Sequence, residues 1–145
     1  MIVMGIDGGG TKTDAVVLDD SGRVLGVGRA GGSNTSFISP ADALTAFVSA
    51  MSQALQEAET APAEVAAVGS TFSSALDGAM STLGMISAKS LRMGEHEVAL
   101  ERVGLREKRG VVVIAGTGSS LWGSDGAARR RIIGGWGAGL GDDGS

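Results

Sequence analysis

Three consecutive glycines close to the amino end constrain this chain more than any other feature of its sequence. Gly8, Gly9 and Gly10 follow the apolar run 2–6 and the acid Asp7. Because glycine reaches positive φ without a Cβ clash, the run predicts a sharp hairpin after a short strand. The N–H groups of such a hairpin can approach an anion as large as a polyphosphate. The sequence therefore predicts a phosphate-binding hairpin.

The residues beside the glycines add groups that suit a bound phosphate. Thr11 and Thr13 carry hydroxyl donors on either side of Lys12. Asp7 would repel a phosphate directly, so it fits the site only with Mg²⁺, or a water on Mg²⁺, between the two anions. The P-loop pattern is excluded, because Thr11 separates Gly10 from the lysine. A tight hairpin built only from turn-forming residues is the alternative.

A second strand and loop of the same kind occur in the carboxyl-terminal half. Residues 111–115 form a continuous apolar run that predicts a buried strand, followed directly by a Gly-Thr-Gly-Ser loop. The segment 134–145 is again rich in glycine, which indicates close backbone packing or close approach to a ligand. The loop residues are Gly116, Thr117, Gly118 and Ser119.

These three glycine-rich segments, in this order, resemble the phosphate motifs of the sugar kinase and actin superfamily. Within it they are most similar to the N-acetylglucosamine kinases and the BadF/BadG/BcrA/BcrD-type ATPases. The matching segments are 5–13, 114–119 and 134–145, with Asp143 where the group has a glutamate. Three ordered motifs at suitable spacing are far more specific than any one of them alone.

The resemblance implies an α/β fold with two lobes. Residues 1–108 are expected to form a ribonuclease H-like (actin-like ATPase) lobe with a mixed sheet, which carries the first hairpin. Residues 109–145 are expected to begin a second lobe with an antiparallel meander. Hydrophobic periodicity predicts strands at 2–6, 14–18 and 23–27, an amphipathic helix at 41–60, strands at 65–68 and around Leu91 and Met93, and a second meander at 111–115, 120–123 and 130–133.

The resemblance also implies ATP and Mg²⁺ as cofactors, and a kinase that transfers a phosphoryl group to a hydroxyl of an amino sugar. Asp7 would hold hydrated Mg²⁺, and the two loops would bind the phosphates of the nucleotide. The residues implied to bind phosphate are Gly8, Gly9, Gly10, Thr11, Lys12, Thr13, Gly116, Thr117, Gly118 and Ser119.

A candidate catalytic base follows from spacing within the same group. Its kinases place an aspartate nineteen residues before the glycine of the second loop, and Glu97 stands nineteen residues before Gly116 here. A positioned carboxylate can accept the proton of the sugar hydroxyl during attack. The alternative is an acid in the first turn of a helix, where the macrodipole favours it. The sequence leaves both roles open.

Substrate contacts are implied by the resemblance alone. Asn34 matches an asparagine that approaches the sugar, with a turn-forming role as the alternative. Ser120 stands where the mammalian-type kinases have an asparagine, which bears on recognition of an N-acetyl group. The implied substrate-binding set is Asn34, Ser73, Thr117, Ser120, Gly135 and Asp142.

Composition narrows the class of protein. The chain has no cysteine, which excludes disulfides and argues against a Cys-rich zinc site or the iron–sulfur cluster of the dehydratase activators. A net charge of −4 disfavours broad nucleic-acid binding. No apolar stretch approaches the ~18 residues of a membrane span, and the amino end lacks a basic start. We therefore expect a cytoplasmic protein with no membrane partner.

Two functional classes remain open, an amino-sugar kinase and an ATPase module whose hydrolysis drives a partner enzyme. At 145 residues the chain has the length of one ordinary domain, whereas kinases of this superfamily close two lobes around the nucleotide. We therefore expect the amino-terminal part of a longer enzyme, which does not turn over ATP by itself. An uncovered second meander would favour a homodimer or association with a partner segment.

Overall fold

Two β-sheets organise the chain, one in each of two compact units, Met1–Met93 and Gly94–Ser145. The computed structural model describes residues 1–71, 74–103, 109–116, 118–127 and 130–136. Ser73, Thr117 and Asp142, three of the implied site residues, lie outside these ranges.

The first unit contains a five-stranded mixed sheet. Its strands are β1 (Ile2–Gly8), β2 (Lys12–Leu18), β3 (Val24–Gly31), β4 (Val65–Thr71) and β5 (Lys89–Met93). The strand order is β3-β2-β1-β4-β5, with antiparallel pairing from β3 to β1 and parallel pairing from β1 to β5. The predicted first meander and the two later strands are thereby confirmed, with β1 and β3 extending further than the apolar runs alone indicate.

Helix α1 (Pro40–Glu57) covers one face of this sheet. Ser39 caps its amino end by accepting a hydrogen bond from the Asp42 amide at 3.1 Å, and Pro40 occupies the first turn. Apolar residues at three- and four-residue spacing bury Phe47 and Met51 against the sheet. The helix lies unusually close to β3, since a Cβ added at Gly28 would stand 2.0 Å from the Ala50 carbonyl oxygen.

Side chains of α1 also protect the edge of the sheet. β3 is an edge strand, and such strands present unpaired amides to other chains. The Val27 amide donates to Glu57 Oε2 at 3.0 Å, and the Arg29 amide donates to Gln53 Oε1 at 3.4 Å. The helix therefore satisfies backbone groups that a neighbouring strand would otherwise pair with.

A second helix, α2 (Ala75–Thr82), follows β4 and was not predicted from the sequence. It is short, and two of its four buried residues are alanines, which give a weak hydrophobic period. A 3₁₀ turn (Pro62–Glu64) leads into β4, where Val65 and Val68 are buried. Helix α2 and strand β4 contribute buried residues to the same core as α1.

The second unit contains helix α3 (Glu95–Arg102) and a three-stranded antiparallel sheet. Its strands are β6 (Arg109–Ala115), β7 (Ser119–Asp125) and β8 (Arg130–Gly134), paired in that order. Trp122 of β7 is buried and stacks on His96 of α3, with ring centroids 4.5 Å apart. The predicted second meander is thereby confirmed, and His96 contributes to packing.

The two compact units divide between Met93 and Gly94. α3 packs against β6 and buries Leu100, so the helix belongs with the second sheet. The expected lobe boundary after residue 108 stays a prediction.

The second sheet exposes apolar side chains on one face. Val111 and Val113 of β6 are 69% and 65% exposed, and Leu121 and Ile133 on the neighbouring strands are exposed beside them. This exposure agrees with the expected open meander, whereas association through it stays a prediction. Separately, none of the described helices is both long and apolar enough to cross a membrane.

Candidate functional site

The first glycine hairpin connects β1 to β2 and is closed by its own backbone. The Gly9 amide donates to the Lys12 carbonyl oxygen at 2.9 Å. The Gly8 amide donates to the Thr71 hydroxyl at the end of β4, at 3.1 Å. Both amides were expected to face a phosphate, and the structure instead uses them to hold the hairpin in shape.

Two other amides of the hairpin remain available to a ligand. No hydrogen bond of the described residues involves the N–H groups of Gly10 or Thr11, which form the tip of the turn. Thr11 is exposed, so its hydroxyl is accessible beside its amide. Adjacent unpaired backbone N–H groups form an anion-binding concavity. Among the implied phosphate donors, Gly10 and Thr11 are those whose amides have no partner within the described residues, and phosphate binding itself stays a prediction.

Thr13 supports the hairpin from inside. Its side chain is completely buried, and its hydroxyl donates to the Gly31 carbonyl oxygen at 2.9 Å. A hydroxyl has one proton to donate, so this bond leaves none for a phosphate. The Thr13 hydroxyl therefore supports the hairpin, and the implied phosphate contact at Thr13 stays a prediction.

A glycine-rich segment after β3 braces the same hairpin. The amides of Ser33 and Asn34 both donate to the Gly9 carbonyl oxygen, at 2.9 and 3.2 Å. Gly32 packs so closely that an added Cβ would stand 2.1 Å from the Gly10 carbonyl oxygen. The hairpin and the segment carrying Asn34 are therefore joined by backbone contacts that allow no side chain between them.

The Asn34 side chain forms a turn and is also exposed. Its Oδ1 accepts a hydrogen bond from the Ser36 amide at 2.9 Å, which is an Asx turn. The turn occupies the carbonyl side of the amide and leaves its two N–H donors to point elsewhere. Turn formation and the implied sugar contact are thus compatible at this position.

Asp7 ends β1 with an exposed carboxylate next to the glycines. Within the described chain it forms no ion pair, and its Oδ1 lies 3.4 Å from the Thr71 hydroxyl. The described residues contain no group of three or more acidic or histidine side chains able to enclose a metal ion. A lone carboxylate suits Mg²⁺ that keeps most of its waters, so Asp7 fits the implied ion as a ligand through water.

Lys12 forms an ion pair with a neighbour that the sequence motifs do not include. Its Nζ lies 2.7 Å from Asp14 Oδ2, and Arg29 pairs with the other oxygen of the same carboxylate. Hydrogen bonds from Arg29, and then from Lys12, hold the pKa of the Asp14 carboxyl below its ordinary value. Asp14 is therefore ionised, and it fixes the Lys12 ammonium beside the hairpin.

The second glycine loop lies between β6 and β7 and is braced in a similar way. The Gly116 amide donates to the Gly118 carbonyl oxygen at 2.9 Å, which closes a tight turn. Gly134 ends β8 and Gly135 follows it, and both have positive φ. The Gly135 amide donates to the Ser119 carbonyl oxygen at 2.9 Å. A Cβ added at Gly135 would stand 3.4 Å from that of Ser120. The structure thus brings Gly135, Ser119 and Ser120 together.

Glu97 lies in the first turn of α3. Its Oε2 accepts a hydrogen bond from the Gly94 amide at 3.1 Å, which caps the helix. The side chain is half-buried. This is the geometry expected of an acid in the first turn of a helix, which is the alternative to a catalytic base. The role of catalytic base stays a prediction.

Thr71 and Ser33 are the site residues that sequence reasoning missed. Thr71 ends β4, which runs three residues beyond the predicted strand 65–68; the available signal was that strand ends in α/β sheets form ligand sites. Ser33 is 4% exposed, and its hydroxyl has no hydrogen-bond partner among the described residues. Its burial against Gly8 and Phe47 arises from tertiary packing, for which the sequence holds no local signal.

The meander-first mixed sheet followed by an antiparallel sheet defines the fold class of the actin-like ATPases and sugar kinases, as expected. The chain belongs to the BadF/BadG/BcrA/BcrD ATPase family, whose model matches residues 4–145.

Individual relatives agree with this membership. An N-acetylmuramic acid/N-acetylglucosamine kinase of Clostridium acetobutylicum is 29% identical over 151 residues, covering 99% of this chain and 49% of its own. A crystal structure from Chromobacterium violaceum, provisionally named an N-acetylglucosamine kinase, has a TM-score of 0.71 at 27% identity, covering 94% of this chain and 50% of that one. The hexokinase of Thermus thermophilus from the ROK family shares the fold, with a TM-score of 0.55 at 16% identity, covering 92% and 49%. The chain spans about half the length of these relatives.

Removal of the buried hydroxyl of Ser33 and removal of that of Thr13 should have different effects on the free energy of unfolding. We expect Ser33→Ala to leave the free energy of unfolding unchanged or raise it by about 1 kcal/mol, because the lost hydroxyl has no partner. Thr13→Val removes a hydroxyl that donates a hydrogen bond to the Gly31 carbonyl oxygen, so it should lower the free energy of unfolding by about 1–2 kcal/mol. Urea unfolding followed by circular dichroism measures both. A larger loss for Ser33→Ala than for Thr13→Val would contradict the assignment.

Proposed function

We propose that the full-length protein is an ATP-dependent kinase that transfers a phosphoryl group to a hydroxyl of an amino sugar of the N-acetylglucosamine or glucosamine type. One observation carries the proposal: the amides of Gly10 and Thr11 have no hydrogen-bond partner among the described residues, and they follow closely after the exposed Asp7 carboxylate, which forms no ion pair there. Phosphoryl transfer requires mainly positioning and charge stabilisation, which such a hairpin supplies.

The chain's own residues divide the work at this hairpin. Gly10 and Thr11 offer N–H donors to phosphate oxygens, and Lys12 adds positive charge while Asp14 restrains it. Asp7 holds Mg²⁺ through water, and the ion when bound neutralises charge on the phosphates. The second loop, 116–119, is proposed to contact the phosphates as well, through groups other than the Gly116 amide, which already donates to the Gly118 carbonyl oxygen.

The sugar half of the proposal draws on the relatives. The Clostridium acetobutylicum protein is a kinase of N-acetylmuramic acid and N-acetylglucosamine. In this chain Asn34 keeps its amide donors while its oxygen forms a turn, and Gly135 and Ser120 lie together. Asn34 and Ser120 through their side chains, and Gly135 through its backbone, are our candidates for contacts with the hydroxyl and acetamido groups of the sugar, together with Ser73, Thr117 and Asp142.

An ATPase module that drives a partner enzyme is the second candidate. Two observations favour it over a kinase. Ser120 replaces an asparagine of the mammalian-type kinases, and the Glu97 carboxylate is already engaged by the Gly94 amide. An ATPase needs neither a sugar pocket nor a base for a sugar hydroxyl.

Release of ADP by the full-length protein, with and without a panel of amino sugars, separates the two candidates. A kinase should hydrolyse ATP slowly alone and release ADP at least about a hundredfold faster with one sugar, because the sugar hydroxyl replaces water as nucleophile. Glucose and buffer alone serve as controls. Equal ADP release under all conditions would reject the kinase and support the ATPase.

The substitution Glu97→Gln distinguishes a role of Glu97 as catalytic base from its role as a helix cap. Glutamine at this position can still accept from the Gly94 amide, so α3 should keep its stability. If Glu97 is the base, sugar-dependent turnover should fall by about a hundredfold or more, with ATP affinity little changed. Steady-state kinetics, nucleotide calorimetry and thermal melting measure the three quantities. Retained turnover would assign Glu97 to capping alone. Asp77→Asn, which removes a first-turn acid paired with Arg92, is the matched control.

A further inference from the structure

We propose that Thr71 is a positioning residue, which fixes the orientation of the Asp7 carboxylate and the shape of the phosphate hairpin. One hydroxyl carries out both tasks, because it contacts the Gly8 amide and the Asp7 carboxylate at once. The inference rests on the proposed role of Asp7 at the magnesium centre.

The position of Thr71 follows from the parallel pairing of β1 and β4. The ladder between these strands ends at the pair Ile6 and Ser70. Beyond it the Gly8 amide has no strand carbonyl on that side, and the Thr71 Oγ1 accepts its hydrogen at 3.1 Å instead. A side chain thus continues the ladder to the point where the hairpin begins.

The Thr71 hydroxyl accepts one hydrogen bond and has one proton to donate, so its two contacts differ in direction. Because Oγ1 accepts from Gly8, its own proton remains to be donated, and Asp7 Oδ1 lies 3.4 Å away. Asp7 is exposed and forms no ion pair within the described residues, so little else restricts its rotamer. Displacement of a catalytic group by about 1 Å can cost about a hundredfold in rate. Thr71 therefore restrains the carboxylate that the proposed site depends on.

Thr71 also determines which amides face the ligand. With Gly8 held by Thr71 and Gly9 held by Lys12, the hairpin is fixed on both sides of its tip. Gly10 and Thr11 are then the hairpin amides left without a partner among the described residues. Loss of the hydroxyl would release Gly8 and loosen that arrangement.

Two variants test the hydroxyl without changing the shape of the strand. Thr71→Val keeps the branched Cβ that suits a strand, and Thr71→Ser keeps the hydroxyl. In protein without nucleotide, amide hydrogen exchange by NMR should speed up at Gly8 by about tenfold or more in Thr71→Val, because a hydrogen bond is lost. Thr71→Ser should exchange as wild type. Unchanged Gly8 exchange in Thr71→Val, or equal acceleration in both variants, would overturn the proposal.

The magnesium dependence of turnover in the full-length protein tests the link to Asp7. Thr71→Val should raise the Mg²⁺ concentration for half-maximal ADP release by about tenfold, whereas the KM for sugar changes little. The same substitution placed in Asp7→Asn should add no further loss, since the carboxylate it restrains is gone. Asp20→Asn, which removes an exposed acid of another hairpin, controls for net charge.

The outcomes separate the two claims. If Asp7→Asn strongly lowers turnover but leaves it measurable, while Thr71→Val behaves as wild type, the positioning role is wrong and the magnesium site stands. If Asp7→Asn retains normal turnover, the proposed site itself is wrong, and the role of Thr71 in it fails as well. A Thr71→Val loss of equal size in both backgrounds would assign Thr71 to general stability and overturn the proposal.

Discussion

The candidate site depends on the hydrogen bonds that the Gly9 carbonyl oxygen accepts. This oxygen accepts hydrogen bonds from Ser33 and Asn34, and so ties the β1–β2 hairpin to the segment that follows β3. An isolated hairpin is marginally stable, and this brace fixes its tip before any ligand arrives. Donors that are already oriented cost no reorganisation during reaction, which is the main source of electrostatic stabilisation by enzymes.

The second unit uses the same construction. There the Ser119 carbonyl oxygen, at the start of β7, accepts from the Gly135 amide just after β8. In both meanders, the loop between the first two strands is therefore braced by the residues that follow the third strand. Both bracing segments contain paired glycines, Gly31 with Gly32 and Gly134 with Gly135. A Cβ added at Gly32 would stand 2.1 Å from the Gly10 carbonyl oxygen, and one added at Gly134 would stand 3.0 Å from the Ser119 carbonyl oxygen, so backbone approaches backbone in both segments. This repetition explains why the glycines cluster in the motifs.

Much of this arrangement is predictable from the sequence, because strands and loops carry local signals. Alternating or continuous apolar runs and glycine clusters identified both meanders and the hairpin at Gly8. The partners of individual groups were not predictable. Thr13 and the amides of Gly8 and Gly9 were taken as phosphate donors, and each instead bonds within the protein through a contact made by folding. Thr71 was missed for the same reason, since its partners lie 63 and 64 residues away.

The central claim is that the tip of the first hairpin, and not its flanking glycines, binds the phosphates. Titration of ¹⁵N-labelled protein with magnesium and a non-hydrolysable ATP analogue, followed by amide NMR, tests it most directly. The account predicts that the largest shifts and the strongest new protection from exchange occur at Gly10 and Thr11. The amides of Gly8 and Gly9 should keep the protection that they have without nucleotide. Larger changes at Gly8 and Gly9 than at Gly10 and Thr11, or no change anywhere in the hairpin, would contradict the account.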